Sequence, residues 1–196
     1  MDTHPTPPFS HADAESQALL AQALAAEQAG DADAAFSLLQ RSIATPAPSP
    51  LAHHLAGAEF AQRNDIGNAV LHFSRALELA PELHIARLQL ALLWLTQSSP
   101  RSAAATLQPL LDANDETSMG HFARALAALA RDDAATAMAW LDSGLAAGHP
   151  NAALIGDMRA MRSRLAAALY ATDPDITTMR HGLAIGAYAS SEDQQP

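Results

Sequence analysis

PLAHHLAGAEFAQRNDIGNAVLHFSRALELAPEL, residues 50–83, decides the fold. Asn64-Asp65 near its middle supplies the side-chain oxygens that cap free helix amides, so the stretch divides into two helices around a turn. Gly57 on the first helix and Ala69 on the second are small, which lets the two axes approach closely. Pro50 and Pro81 stand at either end, where proline starts one helix and stops another. The segment predicts a helical hairpin.

Outward from this hairpin the same features recur. An alanine followed four places later by a large apolar residue occurs at Ala35 and Leu39, Ala69 and Phe73, Ala103 and Leu107, and Ala137 and Leu141, each pair 34 residues after the last. Small residues precede these alanines at the same interval, at Ala23, Gly57, Ala91 and Ala125. Gly30-Asp31, Ser98-Ser99-Pro100 and Asp132-Asp133 repeat the helix-start chemistry of Asn64-Asp65. A fixed period of this length is the mark of stacked supersecondary units, each burying its apolar face against its neighbours.

With Gly57, Phe60, Ala69, Phe73, Ala76 and Pro81 all in frame, residues 50–83 resemble the tetratricopeptide (TPR) family. The units starting at Ser16, His84 and Ser118 match it mainly at the small residue, the alanine and the large apolar residue. The resemblance covers about residues 16–151. It implies an all-α fold, a right-handed α-solenoid of helical hairpins, and Pro150 to Ala171 reads as a C-terminal capping helix with Arg159, Arg162 and Arg164 on its outer side. Pro109 lies inside the second helix of the third unit and is expected to kink it or end it early. The expected organisation is a flexible Pro-rich arm over 1–12, the TPR-like solenoid with its cap over 13–171, and a partly disordered tail over 172–196.

Composition narrows the function. All 11 basic residues are arginine and the net charge is −10, which argues against a nucleic-acid or anionic-membrane surface. The absence of lysine and the wealth of alanine fit a GC-rich bacterial genome. Without cysteine there is no thiol nucleophile, disulfide or cysteine-ligated zinc. Met1 to Ala12 lacks the basic and apolar regions of a secretory signal, and Leu83 to Leu95 is too short to span a bilayer, so the cytoplasm is the expected compartment.

No nucleophile elbow, phosphate loop or zinc-helix motif is present, so no catalytic residue, cofactor or metal is expected. The adjacent pair His53-His54 points about 100° apart on a helix and cannot chelate one ion by itself. Of the histidines, His11 alone has a carboxylate at helical spacing, Glu15.

The TPR resemblance implies that particular positions of each first helix line a concave groove. Here they are Leu20, Leu24, Leu51, His54, Gln62, Ile85, Leu88, Leu92, Leu95, Met119, Phe122, Leu126 and Leu129. Family members that grip an acidic C-terminus use lysine and asparagine there, and this chain has neither. The lining is mostly apolar, so the expected function is an adaptor or scaffold holding a partner polypeptide. A cytoplasmic chaperone of the type III secretion translocator kind and a non-catalytic accessory subunit of an enzyme stand as alternatives. The arm, the tail or a second copy in a homodimer are the other candidates to fill the groove.

Overall fold

The 34-residue period is written in the backbone as well as in the side chains. The computed structural model describes residues 11–114 and 116–170. Among them are nine helices and no strand: α1 (His11–Gln28), α2 (Ala32–Ile43), α3 (Pro50–Gln62), α4 (Ile66–Leu79), α5 (His84–Thr96), α6 (Pro100–Ala113), α7 (Ser118–Leu129), α8 (Ala134–Ala147) and α9 (Ala152–Tyr170). Helix α1 begins just inside the stretch expected to be an arm. The rest of that arm, residues 1–10, and the whole of the expected tail lie outside the described residues.

Each of the four hairpins turns at a residue with left-handed φ: Gly30 at 79°, Asn64 at 59°, Ser98 at 51° and Asp132 at 59°. The next amide in each turn donates five residues back, Asp31 to Ala26, Asp65 to Phe60, Ser99 to Trp94 and Asp133 to Ala128, at 2.8–3.0 Å. This closes the first helix by satisfying a carbonyl that would otherwise be orphaned. The following aspartate then opens the second helix. Asp31, Asp65 and Asp133 accept from the amides of Ala34, Asn68 and Thr136. Ser99 makes no such bond, and its helix starts instead on Pro100, which has no amide hydrogen to satisfy.

Ser98 is the one of these four residues ill suited to its conformation, because glycine pays nothing there and asparagine and aspartate pay little. Ser98→Gly is therefore expected to stabilise the chain by about 0.5–1 kcal/mol. Urea denaturation checks this, and an unchanged or lowered midpoint would contradict the turn.

The described chain falls into two compact units, divided between Pro81 and Glu82. In the first, α1 to α4 form two hairpins, with α2 against α3. Its interior includes Leu20, Ala23, Leu39 and Ala52, with Leu24, Leu38, Ile43 and Leu55 packed on them. A buried hydroxyl pair adds to this. Ser16 Oγ lies 3.0 Å from Ser42 Oγ, Ser42 Oγ donates to the Ser16 carbonyl, and the Ser49 amide donates to Ser16 Oγ. Every one of these polar atoms is satisfied, so their burial costs little and ties α1, α2 and the start of α3 together.

In the second unit α5–α6 and α7–α8 are the hairpins, and α9 packs on α8. Leu154, Met158, Met161 and Leu165, on one stripe of α9, enter a core with Leu107, Phe122, Leu126 and Leu141. This is the expected capping helix. Arg159 is exposed as expected, whereas Arg162 reaches across to Asp142 on α8 at 2.7 Å.

Pro109 does not shorten α6. The helix runs on to Ala113, and the carbonyl the proline leaves without a donor belongs to Ala105, an exposed residue whose oxygen water can reach. One residue on, the Thr106 carbonyl accepts from the Arg87 guanidinium of α5 at 3.2 Å. What the proline gives away is thus one carbonyl of an exposed residue, and the Arg87 bond is a separate tie between α5 and α6.

Candidate functional site

The thirteen positions expected to line a groove separate into three groups. Leu20 and His54 in the first unit, and Leu88, Leu92, Leu95, Phe122 and Leu126 in the second, are buried. Leu88 is 1% exposed and Phe122 and Leu126 are 0%, and all five of the second unit's residues belong to its core. Leu24, Ile85, Met119 and Leu129 are half-buried, packed on the edges of those cores. Leu51 and Gln62 are exposed. Seven of the positions are thus buried among the helices of their own units, and six keep some exposure.

The reason is visible in α5, where Ala86, Leu88, Leu90, Ala91, Leu92, Leu93 and Leu95 are all buried. A helix with buried residues on most of its sides has little face left to give to solvent, and what remains on α5 includes half-buried Ile85. In the first unit the accessible apolar residues are more distinct. Leu51 is 43% exposed on the first turn of α3, and Leu55, one turn along, shares with Leu24 a place against the Leu20–Leu39 cluster.

Polar chemistry gathers elsewhere, at a pairing that the period makes regular. In α3, α5 and α7 the fourth residue and a residue nineteen positions later on the following helix form the pairs His53 and His72, Arg87 and Thr106, and His121 and Trp140. His53 and His72 bring their Nδ1 atoms to 2.9 Å. Phe60 lies parallel to the His72 ring, 5.2 Å away and tilted by 6°, and Phe36 of α2 meets Phe60 edge-on at 5.3 Å. The Arg63 guanidinium covers Phe36 at 4.0 Å, with Glu59 and Asp33 as its carboxylate neighbours. Burial holds both histidines below the ordinary value; His53 is lowered further by His72 and Arg75, against Glu78.

In the second unit His121 lies beside Trp140, ring centres 5.5 Å apart, and Arg124 sits 4.9 Å from the same indole. Arg124 donates to Asn114 Oδ1 at 2.9 Å and to Glu116 Oε1 at 3.2 Å, fastening the loop before α7 to α7 itself. Such a guanidinium is engaged in structure on several sides at once. On α9, burial raises the Asp157 carboxyl to about 6, against the pull of Arg164.

Spacing within one helix turn does not show the His53–His72 pair, because the two rings stand on different helices. The nineteen-residue offset inside the 34-residue frame was the signal that would have found it. Among the described residues no group of three or more histidines or carboxylates is placed to hold a metal ion. No described helix is long and apolar enough to cross a membrane.

No protein-family model and no curated sequence matches the chain. Among solved structures it is similar to MamA from Desulfovibrio magneticus RS-1, residue 41 to the end, at a TM-score of 0.54 and 14% identity over 92% of this chain and 98% of that one. A MamA RS-1 double mutant, ArsTM, matches at the same TM-score with 13% identity and the same coverage. At these identities the likeness is one of fold. It agrees with the all-α, TPR-like arrangement of helical hairpins read from the period.

Proposed function

We propose that the chain is a protein-binding scaffold that holds a partner polypeptide against accessible apolar residues of its first helices. The observation that carries this reading is Leu51, 43% exposed at a position where the TPR resemblance puts partner contacts. Ile85 and Met119 remain half-buried at the equivalent positions of their units, Leu24 and Leu129 at other groove positions, and each keeps apolar area for a partner to cover. The fold supports a scaffold over an enzyme only in that the polar groups described above are engaged with one another in holding helices and loops. Fold alone assigns no function, so the reading stands on these side chains.

A photo-crosslinker at position 51 followed by mass spectrometry identifies what covers this residue in the cell, a second copy of the chain included. Leu51→Gln is then expected to weaken that complex about tenfold, the worth of covering roughly half a leucine, while the melting temperature hardly moves. Unaltered affinity for the crosslinked partner would remove Leu51 from the binding face.

A further inference from the structure

We propose that His53 and His72 form a proton-operated latch between α3 and α4, closed while one proton lies between the two Nδ1 atoms and forced open when mild acid places a proton on both. The geometry leaves little freedom. With ring centres 5.2 Å apart, planes within 23° and Nδ1 atoms at 2.9 Å, the two nitrogens must lie almost on the line joining the centres. The rings therefore meet edge to edge in nearly one plane, which is the arrangement of a hydrogen bond between one N–H and one lone pair.

Two neutral imidazoles satisfy this when one is protonated at Nδ1 and the other at Nε2. Adding a single proton keeps the bond, because the imidazolium still finds a lone pair opposite. A second added proton sets N–H against N–H and charge against charge at hydrogen-bond distance, where nothing accepts. The rings must then part. His53 is 7% exposed and His72 half-buried, so water screens the pair only in part.

Charges nearby bias the same way. Of the groups on helices packed against α3, Glu15 and Glu27 on α1, Asp33 and Arg41 on α2, and Arg75 and Glu78 on α4, those that act on His53 are Arg75, which disfavours its charge, and Glu78, which favours it. Glu78 is itself paired with Arg75 at 2.6 Å, so its help is divided. On α3 itself, Glu59 is engaged with Arg63 at 3.6 Å.

Opening has a route outward. His72 carries Phe60 on its face, Phe60 meets Phe36 of α2, and Arg63 rests on Phe36. Displacing the His72 ring removes one end of this row of contacts joining α4, α3 and α2, so the hairpin loosens together with its neighbour.

The sign follows from linkage. Both histidines titrate lower in the folded chain than the ordinary 6.5, so the unfolded chain takes up protons first. The stability contributed by the pair is full above that value and is lost as pH falls from there through the folded values. Asp157, raised to about 6, works in the opposite direction below that pH, because the folded chain then binds the proton first. A comparison with His72→Phe cancels this and every other titration, while keeping a flat ring against Phe60.

The test uses the full chain in two measurements. Nitrogen-15 NMR of the imidazoles should show His53 and His72 titrating in two coupled steps, the second displaced well below the first. Between about pH 7.5 and pH 5, the folded-to-unfolded ratio should fall at least about tenfold further in the parent than in His72→Phe, one pKa unit being worth a factor of ten. Independent titration of both rings at the ordinary histidine value overturns the latch, and so does an identical pH dependence in the variant. Should His72→Phe not fold, the NMR titration of the parent chain decides alone.

Discussion

Phe122→Ala is expected to lower the free energy of unfolding by about 3–5 kcal/mol, a large part of the roughly 5–15 kcal/mol that holds a domain together. The side chain is completely buried on α7, in the same core as Leu107, Leu141 and Met161. Its removal leaves a cavity as well as losing the transfer energy of the ring. The neighbours that would have to close the cavity are themselves fixed: Ala123, Ala125 and Leu126 on α7 and Ala137 and Leu141 on α8 are all 0% exposed. If Phe122 lined an open groove, the same substitution would cost well under 1 kcal/mol, as surface changes do. Chemical denaturation separates the two outcomes, and a midpoint close to that of the parent would return Phe122 to the binding face.

Gly144→Ala should also destabilise, by about 1–3 kcal/mol, although glycine to alanine inside a helix ordinarily gains up to about 1 kcal/mol. A β-carbon at Gly144 would fall against the Phe122 ring, 2.6 Å from Cδ1 and nearer still to Cε1, with the His121 β-carbon at 3.3 Å. Helix α8 therefore lies against α7 at a distance only a hydrogen allows. The double variant Gly144→Ala with Phe122→Leu frees the ring's space, so its loss should be smaller than the two single losses added together. Simple additivity in the double-mutant cycle would show that the two residues do not touch.

The first unit solves the same problem from the other helix. There the glycine is Gly57 on α3 and the ring is Phe73 on α4, with the virtual β-carbon 2.9 Å from Cδ1. That small residues, Gly57 on the first helix and Ala69 on the second, bring the helices together was legible in residues 50–83. Which ring fills the space beside each glycine, Phe73 at Gly57 and Phe122 at Gly144, was not, because residue type and spacing do not say which side chain lies opposite. Close helix packing needs only that small meets large, and either helix can supply the small side.

The sequence by itself determined what depends on neighbours along the chain: the 34-residue period, the hairpins, the left-handed turn residues and the aspartate caps. The turns and caps are set by interactions within about five residues, where residue type and spacing carry nearly all the information, and the period repeats that local chemistry along the chain. The tertiary structure alone decided which apolar residues of the first helices are core and which remain accessible. Leu51 and Leu88 are both leucines at groove positions of their units, yet one is 43% and the other 1% exposed. Burial is a property of everything packed around a side chain, and a leucine offers the same apolar surface to an adjoining helix as to a partner. The same holds for His53 and His72, whose shared proton depends on two helices approaching until two nitrogens stand 2.9 Å apart. It holds also for Pro109, tolerated because the carbonyl it strands belongs to an exposed residue.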